Sequence, residues 1–510
     1  MYDEIVRWRR NIFLLPSGQA GKSFLEEMTR LAKAWASKSK DEAVAMTMLM
    51  VMPALLLQKP SKRSKTAEHV AALKRRLQDW KEDKIEDLIR EGRAIQNRLQ
   101  RSKHSQHSAE KVFVRLMLQG KISAAMRWIG ESSTGILDAN HETMTELIKK
   151  HPTAKPAEYG SVLKGPEIKV EPIIFSNIDG KLIQASAKRT AGAAGPSGLD
   201  SDGWKRMLCS KQFGKKTDEL CDAIASMAQR LCTSYIDPVL LQPYVACRLI
   251  PLDKKPGVRP VGIGEVLRRV IGKAVMTVLQ RDMVRATAPL QVCAGIPGGV
   301  EAAVHAARQF FEHRDTEALI LVDAENAFNS LNRDAALSNI RLLCPELASY
   351  VINTYREPAR LFVYNGDKEI LSEEGVTQGD NAAMGFYACA TIPVIAASRR
   401  QEEEEFEDNQ VIDDREAGAD VSNVKQIRYA DDAAGGGKIN SLSKWWKNLC
   451  KSEEQTHVWI LSKTLKDMGD SQAGARRTGK EGFSQPPSYY DWSAIPWELH
   501  WDQTGNVGVC

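Results

Sequence analysis

Two segments of the chain place aspartates at the end of an apolar run. Asp323 follows an aliphatic run in LILVDAENAF, and Asp431 and Asp432 stand side by side after an apolar and aromatic run in VKQIRYADD. Runs of this kind are typical of strands. Two such strands packed side by side would bring Asp323 and Asp431 together, and carboxylates at that range repel each other unless a cation binds between them.

Carboxylate oxygens are the ligands that Mg²⁺ prefers, with Mn²⁺ as the alternative ion. Two such ions can clamp the attacking and leaving oxygens of an in-line phosphoryl displacement. The paired acids therefore predict a magnesium site for nucleotidyl transfer. A single aspartate after a strand is usually a turn residue or a helix cap, so the prediction depends on the two segments together.

The elements that would position these acids are a mixture of helices and strands. A strand-turn-strand unit is predicted by CRLIPLDKKPGVRPVGIG, and a hairpin by ARLFVYNGDKEILSEEG, which alternates apolar and polar residues around Asn365-Gly366. The segment EALILVD predicts a buried strand, and GDNAAMGFYACATIPVIAAS predicts a tightly packed helix. The fold class predicted from these patterns is α+β.

Changes in composition divide the chain into four segments. Residues 1–155 are predicted to be mostly helical, and residues 156–200 form a connector rich in Pro, Gly and Ala. Residues 201–465 carry the acids and include an almost purely acidic stretch at about 401–420, which is expected to be a solvated, mobile insertion. Residues 466–510 lose periodicity and are expected to be an irregular or disordered tail.

The overall composition is that of an ordinary folded protein. The 510 residues are 43% hydrophobic and 26% charged, and the formal net charge of +5 permits a nucleic-acid partner without requiring one. Nine scattered cysteines without a CxxC pair disfavour a zinc finger and favour free thiols in a reducing compartment.

No targeting segment is evident in the sequence. The start, MYDEIVRWRRNIF, lacks the apolar stretch of a signal peptide. The most apolar run, Ala43 to Leu57, is shorter than the ~20 residues that span a bilayer and contains Pro53, so a pair of buried helices is expected there. These features predict an intracellular protein of the cytoplasm, the nucleus or both, with no membrane partner, and they leave the oligomeric state open.

The motifs resemble those of a known family in their order along the chain. RYADD resembles motif C of reverse transcriptases, LVDAENAFNSLNR resembles motif A, and GVTQGDNAAMGF is similar to motif B. RLIPLDKKPGVRPVGIGEVLRRVIGKAV is similar to the fingers segment, AGPSGLDSDGWKRML to the segment before it, and WILSKT to motif D. The resemblance covers roughly residues 185–465 and is strongest to polymerases of non-long-terminal-repeat retrotransposons. It implies a right-hand polymerase palm and fingers, preceded by a mostly helical N-terminal domain.

The resemblance implies an RNA-directed DNA polymerase that adds deoxynucleoside triphosphates to the 3′-hydroxyl of a DNA or RNA primer on an RNA template. Asp323 and Asp431 would bind both metal ions, Asp432 would support them, and the backbone carbonyl of Ala324 would be a further ligand. Lys463 matches the motif D lysine, which would protonate the leaving pyrophosphate as a general acid.

The resemblance also implies the residues that would hold the incoming nucleotide. Phe328 would be a steric gate that rejects a ribose 2′-hydroxyl, although core packing is the alternative for an aromatic residue. The triphosphate would be cradled by cations of the hairpin, unless these form only a surface charge cluster, and the nucleotide and template would lie against motif B. The hairpin residues are Lys254, Lys255 and Arg259, and the motif B residues are Gln378 and Gly379.

The chain departs from the family pattern in two places. Asn381 stands where the family usually has proline, and the residues beyond WILSKT resemble nothing in the family. The helical thumb and an endonuclease motif are expected to be missing, as in a copy truncated after motif C or D. The alternatives are a catalytically inactive nucleic-acid-binding remnant and, less favoured because of Phe328, an RNA-directed RNA polymerase.

Overall fold

The computed structural model describes residues 1–101, 109–118, 120, 122, 125–126, 135–158, 161–166, 168–254, 257–324, 326–364, 368–377, 379–410 and 424–456. The predictions for Lys255, Gln378, Lys463, the turn at 365–367 and the tail at 466–510 fall outside these residues. Within the described part, helices dominate and the strands form two small sheets, so the fold is α+β as predicted.

Helices fill most of the described N-terminal part. They are α1 (Tyr2–Ile5), α2 (Gln19–Ala36), α3 (Glu42–Leu56), α4 (Thr66–Lys81), α5 (Ile85–Arg101), α6 (Ala109–Leu118) and α7 (His141–Lys149). The expected pair of helices in the apolar run is wrong, because α3 is a single helix with Pro53 in its last turn. A proline there removes one backbone hydrogen bond, and the burial of most of the helix outweighs that loss. No helix among the described residues is both long and apolar enough to cross a membrane.

The remaining helices of the described chain follow α7, and the first of them lies inside the predicted connector. They are α8 (Gly180–Arg189), α9 (Ser201–Cys209), α10 (Lys215–Thr233), α11 (Gln242–Val245), α12 (Val266–Val278), α13 (Gln280–Thr287), α14 (Gly299–Glu312), α15 (Ala327–Ser330), α16 (Arg333–Leu343), α17 (Pro345–Tyr355), α18 (Ala383–Gln410) and α19 (Ile439–Thr456). Asp179 caps α8 by accepting a hydrogen bond of 2.8 Å from the Leu182 amide.

Helix α18 corrects the interpretation of the acidic stretch. The predicted packed helix is present, but it continues through the first half of that stretch to Gln410 instead of ending before it. Glutamate is a good helix former, which explains how a run of acids can extend a helix that is already packed at its other end. Residues 411–423 lie outside the described part of the chain.

One hydrophobic core joins the N-terminal helices to those that follow the connector. Helix α2 packs against α10, and both contribute buried side chains to a cluster that extends as far as α19. The Arg230 guanidinium of α10 lies 4.6 Å from the Trp35 ring and also pairs with Glu42. The helical N-terminal part therefore shares its core with the elements that follow the connector.

The described strands are β1 (Cys247–Asp253), β2 (Val258–Gly264), β3 (Ala318–Asp323), β4 (Ala359–Val363), β5 (Glu369–Ser372), β6 (Lys425–Tyr429) and β7 (Asp432–Gly437). They form a four-stranded sheet in the order β2-β1-β4-β5 and a three-stranded sheet in the order β3-β7-β6. The pairs β1–β2 and β4–β5 are antiparallel, as the predicted hairpins require, and β1 and β4 are parallel. Met144 and Leu147 of α7 pack on this sheet.

The glycine run after the paired acids belongs to β7, the central strand of the three-stranded sheet. A Cβ atom on Gly436 would lie 2.8 Å from the Cβ of Phe310 on α14, and one on Gly435 would lie 3.0 Å from the Trp445 ring on α19. Because consecutive strand residues point to opposite faces, the two helices pack on opposite sides of β7. Small residues in β7 are what allow both helices to approach.

Strand β3 is more exposed than expected. The sequence predicts a buried strand, but Leu321 is 45% exposed and only Val322 of this strand is buried. The prediction is wrong because β3 lies at the edge of its sheet and pairs only with β7 among the described strands. An aliphatic run therefore does not distinguish an edge strand from a central one.

Candidate active site

The three predicted acids come together at one end of the three-stranded sheet. Asp323 is the last residue of β3, and it pairs directly with Asp432, the first residue of β7. Directly opposed residues of antiparallel strands have Cβ atoms roughly 4.5–5.5 Å apart on the same face of the sheet. The predicted proximity of the acids is present, but β3 pairs with the strand that follows the acids and not with the strand that precedes them.

Asp431 lies in the tight turn of the β6–β7 hairpin. The pairing of Tyr429 with Asp432 closes this turn, so that Ala430 and Asp431 form its two central residues. Ala430 has a φ of 54°, in the left-handed region that L-residues other than glycine seldom adopt. The turn therefore presents two neighbouring carboxylates from a backbone conformation that the surroundings must stabilise.

Burial and mutual repulsion perturb both carboxylates of the hairpin. Burial raises the pKa of Asp431 to about 6, and the nearby Asp323 adds to the effect. Burial, followed by the charges of Asp431 and Asp323, raises the pKa of Asp432 to about 7. Both carboxyl groups therefore hold their protons to a higher pH than an ordinary aspartate does, and a bound cation would oppose this by favouring the charged forms.

Arg428 lies on the opposite face of the hairpin from Asp432. Its side chain is almost fully buried, with the guanidinium 6.0 Å from the Trp445 ring and Nη2 donating to Gln426 Oε1 at 3.3 Å. Strand alternation explains this position, since Arg428 pairs with Ala433 and the adjacent Tyr429 pairs with Asp432.

The donor atoms at this end of the sheet suit a hard cation. Asp323, Asp431 and Asp432 offer only oxygen, which matches the ligand preference of Mg²⁺ and Mn²⁺. Within the described residues, however, no three His, Cys, Asp or Glu side chains are already grouped closely enough to form a metal centre. A cation bound at this end of the sheet would be reached from solvent past Asp323, which is exposed at the end of its strand.

The loop between β5 and α18 packs against the short helix that follows Asp323. The Val376 amide donates a 2.6 Å hydrogen bond to the Phe328 carbonyl of α15. Gly375 has a φ of 64°, and a Cβ atom there would lie 2.1 Å from that same carbonyl oxygen, so a larger residue cannot be placed. The Phe328 ring is half-buried and stacks on Tyr387 of α18 with ring centroids 4.6 Å apart.

The same loop touches the four-stranded sheet. Gly379 has a φ of 86°, and the Gly262 carbonyl of β2 lies 4.0 Å from where its Cβ would be. A small cleft of about 10 Å³, room for roughly one water molecule, lies beside this contact and is lined in part by His151, Gly262, Asn329 and Thr377. The loop thus packs between the four-stranded sheet and the short helix that follows Asp323.

Two of the three predicted triphosphate cations lie in the described part of the hairpin. Lys254 is exposed at the β1–β2 turn, where its amide donates to the Gly257 carbonyl at 3.0 Å, and Arg259 is exposed on β2 opposite Leu252. Both residues belong to the four-stranded sheet and not to the sheet that carries the acids. These cations are therefore carried by a different sheet from Asp323, Asp431 and Asp432.

Comparison with known proteins adds no family to these observations. No model of a known protein family matches the chain, and no curated protein matches it. The roles of the acids, the cations, Ala324 and Phe328 therefore depend on the motifs and on the geometry described above.

A buried charged network beside the loop was not identified from the sequence. Arg268 Nη2 of α12 forms an ion pair of 2.5 Å with Asp380 Oδ2, and the Tyr355 hydroxyl donates to the same oxygen at 2.7 Å. Asn381, at the position where the family has proline, donates from Nδ2 to the Arg269 carbonyl at 2.5 Å. The start of α18 is therefore fixed to α12 by two consecutive side chains. Asp380 directly follows the predicted Gln378-Gly379 pair, but nothing local to it identifies Arg268 as its partner.

Proposed function

We propose that this chain is an RNA-directed DNA polymerase with the palm and fingers of a right-hand polymerase. In this interpretation the three-stranded sheet is the palm and the β1–β2 hairpin belongs to the fingers. The observation that carries the proposal is the register that pairs Asp323 with Asp432 and places Asp431 in the adjoining turn. The order of the sequence motifs supports it, because the β1–β2 hairpin, Asp323, the loop before α18 and the paired acids Asp431 and Asp432 follow one another as the polymerase resemblance requires.

The chain's own residues would perform distinct tasks at this site. Asp323 and Asp431 would bind divalent ions through carboxylate oxygens, with Asp432 and the Ala324 carbonyl as further oxygen donors. Bound Mg²⁺ would supply electrostatic stabilisation of the attacking and leaving oxygens. Phe328, stacked on Tyr387, would exclude a ribose 2′-hydroxyl by its bulk.

The remaining contacts to the nucleotide would come from the loop and the hairpin. Gly379 would let the backbone approach the nucleotide closely, and Lys254 and Arg259 would bind the triphosphate through charge-assisted hydrogen bonds. Lys255, Gln378 and Lys463 keep their predicted roles in this scheme, although they lie outside the described residues.

Primer extension on an RNA template with deoxynucleoside triphosphates and Mg²⁺ tests the proposal. Asp323→Asn and Asp431→Asn are expected to lower the extension rate on the order of 10³-fold, because each removes a charged oxygen donor. Asp315→Asn is the matched control, since Asp315 is an exposed acid in the turn before β3 and should be dispensable. Equal extension by the wild type and Asp431→Asn would contradict the proposal.

The same assay separates the rival functions. Preferential use of ribonucleoside triphosphates would indicate an RNA-directed RNA polymerase. Binding of RNA that weakens with salt, without any Mg²⁺-dependent extension by the wild type, would indicate an inactive nucleic-acid-binding remnant.

A further inference from the structure

A buried glutamine lies against the turn that carries the paired acids. Gln291 is 0% exposed and follows α13. Its Nε2 donates to the Ala430 carbonyl at 2.7 Å, and its Oε1 accepts from the Ala430 amide at 3.0 Å. One side chain therefore satisfies both backbone polar groups of a single residue in the hairpin turn.

This contact occurs where the backbone most needs support. Ala430 is buried, so its amide and carbonyl have little access to water, and an unsatisfied buried polar group costs about 1–3 kcal/mol. Its left-handed conformation costs a further 1–2 kcal/mol or so for a residue with a Cβ atom. The next residue along the chain is Asp431, so any relaxation of Ala430 would move that carboxylate.

The backbone next to Gln291 reinforces the contact. The Val292 amide donates to the Arg428 carbonyl of β6 at 3.0 Å, so residues 291 and 292 run along the edge of the hairpin. Gln291 Nε2 also donates to the Thr391 hydroxyl of α18 at 3.3 Å. The glutamine thus connects the turn to the packed half of α18.

We propose that Gln291 is a positioning residue that holds the Ala430–Asp431 peptide in the conformation required to present the two hairpin carboxylates to a divalent cation. The role rests on the proposed polymerase function and concerns the same site. In the hairpin turn Gln291 bonds to the backbone of Ala430. The proposed nucleotide contacts come from other elements, namely the β1–β2 hairpin, Phe328 and the loop before α18. Its loss therefore affects metal use and the chemical step, while nucleotide binding is retained.

The amide group is essential to this role. Of the side chains of this length, glutamine presents a donor and an acceptor side by side, as the two groups of Ala430 demand. Methionine matches glutamine in length but can form neither strong hydrogen bond. Gln291→Met therefore removes both hydrogen bonds to Ala430 and keeps most of the side-chain volume. Thr391→Val is the matched control, because it removes a buried hydroxyl beside the same amide and leaves both bonds to Ala430 in place.

The test compares the full-length wild type, Gln291→Met and Thr391→Val. Primer extension gives kcat, the KM for the deoxynucleotide and the half-saturating Mg²⁺ concentration, and the Mg²⁺-induced rise in Tm without substrates gives a readout independent of activity. For Gln291→Met, kcat is expected to fall and the half-saturating Mg²⁺ concentration to rise by about 10- to 100-fold each, with KM changed by no more than about twofold. The Mg²⁺-induced rise in Tm should shrink in Gln291→Met and persist in Thr391→Val.

Each outcome decides the proposal. If Gln291→Met keeps the kcat and Mg²⁺ dependence of an active wild type, the positioning role is wrong and the polymerase function stands. If Thr391→Val loses metal response and kcat as much as Gln291→Met does, the effect reflects general packing and the positioning role is again wrong. A wild type that extends no primer overturns the polymerase function and the positioning role together.

Discussion

Arg268 and Asp380 form an ion pair in the protein interior, with 2.5 Å between Nη2 and Oδ2 and each side chain 2% exposed. The Arg268 guanidinium also lies 5.0 Å from the ring of Tyr355, whose hydroxyl binds the same carboxylate. Removing two charges from water costs several kcal/mol per ion, so such a pair is maintained only while both partners stay in place. The pair therefore fixes the position of the loop that ends at α18.

Asp380→Asn is expected to lower the free energy of unfolding by about 3–5 kcal/mol, because it leaves the Arg268 charge buried without a carboxylate. Urea denaturation measures the change. Glu312→Gln is the control, since it breaks the Arg308–Glu312 pair whose side chains are 63% and 57% exposed, and it should change stability by no more than about 0.5 kcal/mol. Similar changes in the free energy of unfolding for the two substitutions would show that the buried Arg268–Asp380 pair contributes no more to stability than the exposed pair does.

Asp432→Asn is expected to stabilise the metal-free protein at high pH. The pKa of Asp432 is raised from 3.8 to about 7, so the folded state binds this proton more tightly than the unfolded state does. Wild-type stability in EDTA should therefore decline as the pH rises from 3.8 through about 7, and the decline should be smaller in Asp432→Asn. Allowing for partial exposure, the variant should be more stable than the wild type by about 2 kcal/mol at pH 8 and nearly equal to it at pH 4.

Urea denaturation in EDTA across this pH range measures the difference between the two proteins. Mg²⁺ at pH 8 should stabilise the wild type and have a much weaker effect on Asp432→Asn, since the variant lacks a charged oxygen donor. A stability difference that is the same at pH 4 and pH 8 would contradict the assigned pKa shift.

Gly436→Ala is expected to destabilise the protein by about 1–3 kcal/mol, because the new Cβ atom would overlap the Cβ of Phe310 at 2.8 Å. Gly437→Ala is a control in the same strand, where the nearest atom would lie 3.8 Å from the new Cβ. Thermal denaturation of both variants compares the two positions. Adding Phe310→Gly, which removes the overlapping Cβ atom, should cost less stability in the Gly436→Ala background than in the wild type. Equal stability of the two single variants at positions 436 and 437 would show that α14 does not pack closely on β7.

Phe328→Ala is expected to raise the efficiency of ribonucleotide incorporation roughly 10- to 100-fold relative to deoxynucleotides, because it removes the bulk proposed to exclude the 2′-hydroxyl. The ratio of kcat/KM for the two nucleotide classes measures the change. Phe328→Tyr keeps the ring and its stacking on Tyr387, so it should leave the ratio close to that of the wild type. If Phe328→Ala lowers stability but leaves the ratio unchanged, Phe328 serves only in core packing.

Local sequence signals were sufficient for several elements of the fold. The β1–β2 and β4–β5 hairpins follow from alternation around turn residues, and the buried half of α18 follows from its dense apolar composition. The presence of a strand before each acid could also be predicted from short apolar runs. These signals work because the interactions that they reflect are close together in sequence.

Contacts between segments that are distant in sequence could not be predicted from such local signals. The pairing of β3 with β7 instead of β6 joins segments that are far apart in sequence, and no local pattern in the strands records it. Gln291 reaches Ala430 across 139 positions, and an isolated glutamine in the sequence PLQVCAG carries no sign of that partner. The exposure of β3 likewise depends on its place at the sheet edge and not on its own residues.

The small side chains of β7 have a consequence for how the chain folds. A strand made of alanine and glycine offers little side-chain information to choose between alternative alignments with its neighbours, and a shift of one residue would turn Asp432 to the other face of the sheet. Phe310 and Trp445 lie outside the sheet and pack over the adjacent glycines Gly436 and Gly435. These bulky side chains distinguish between the alternative alignments of β7. The packing of α14 and α19 on β7 therefore selects the register of β7 against β3, and with it the face of the sheet on which Asp432 lies.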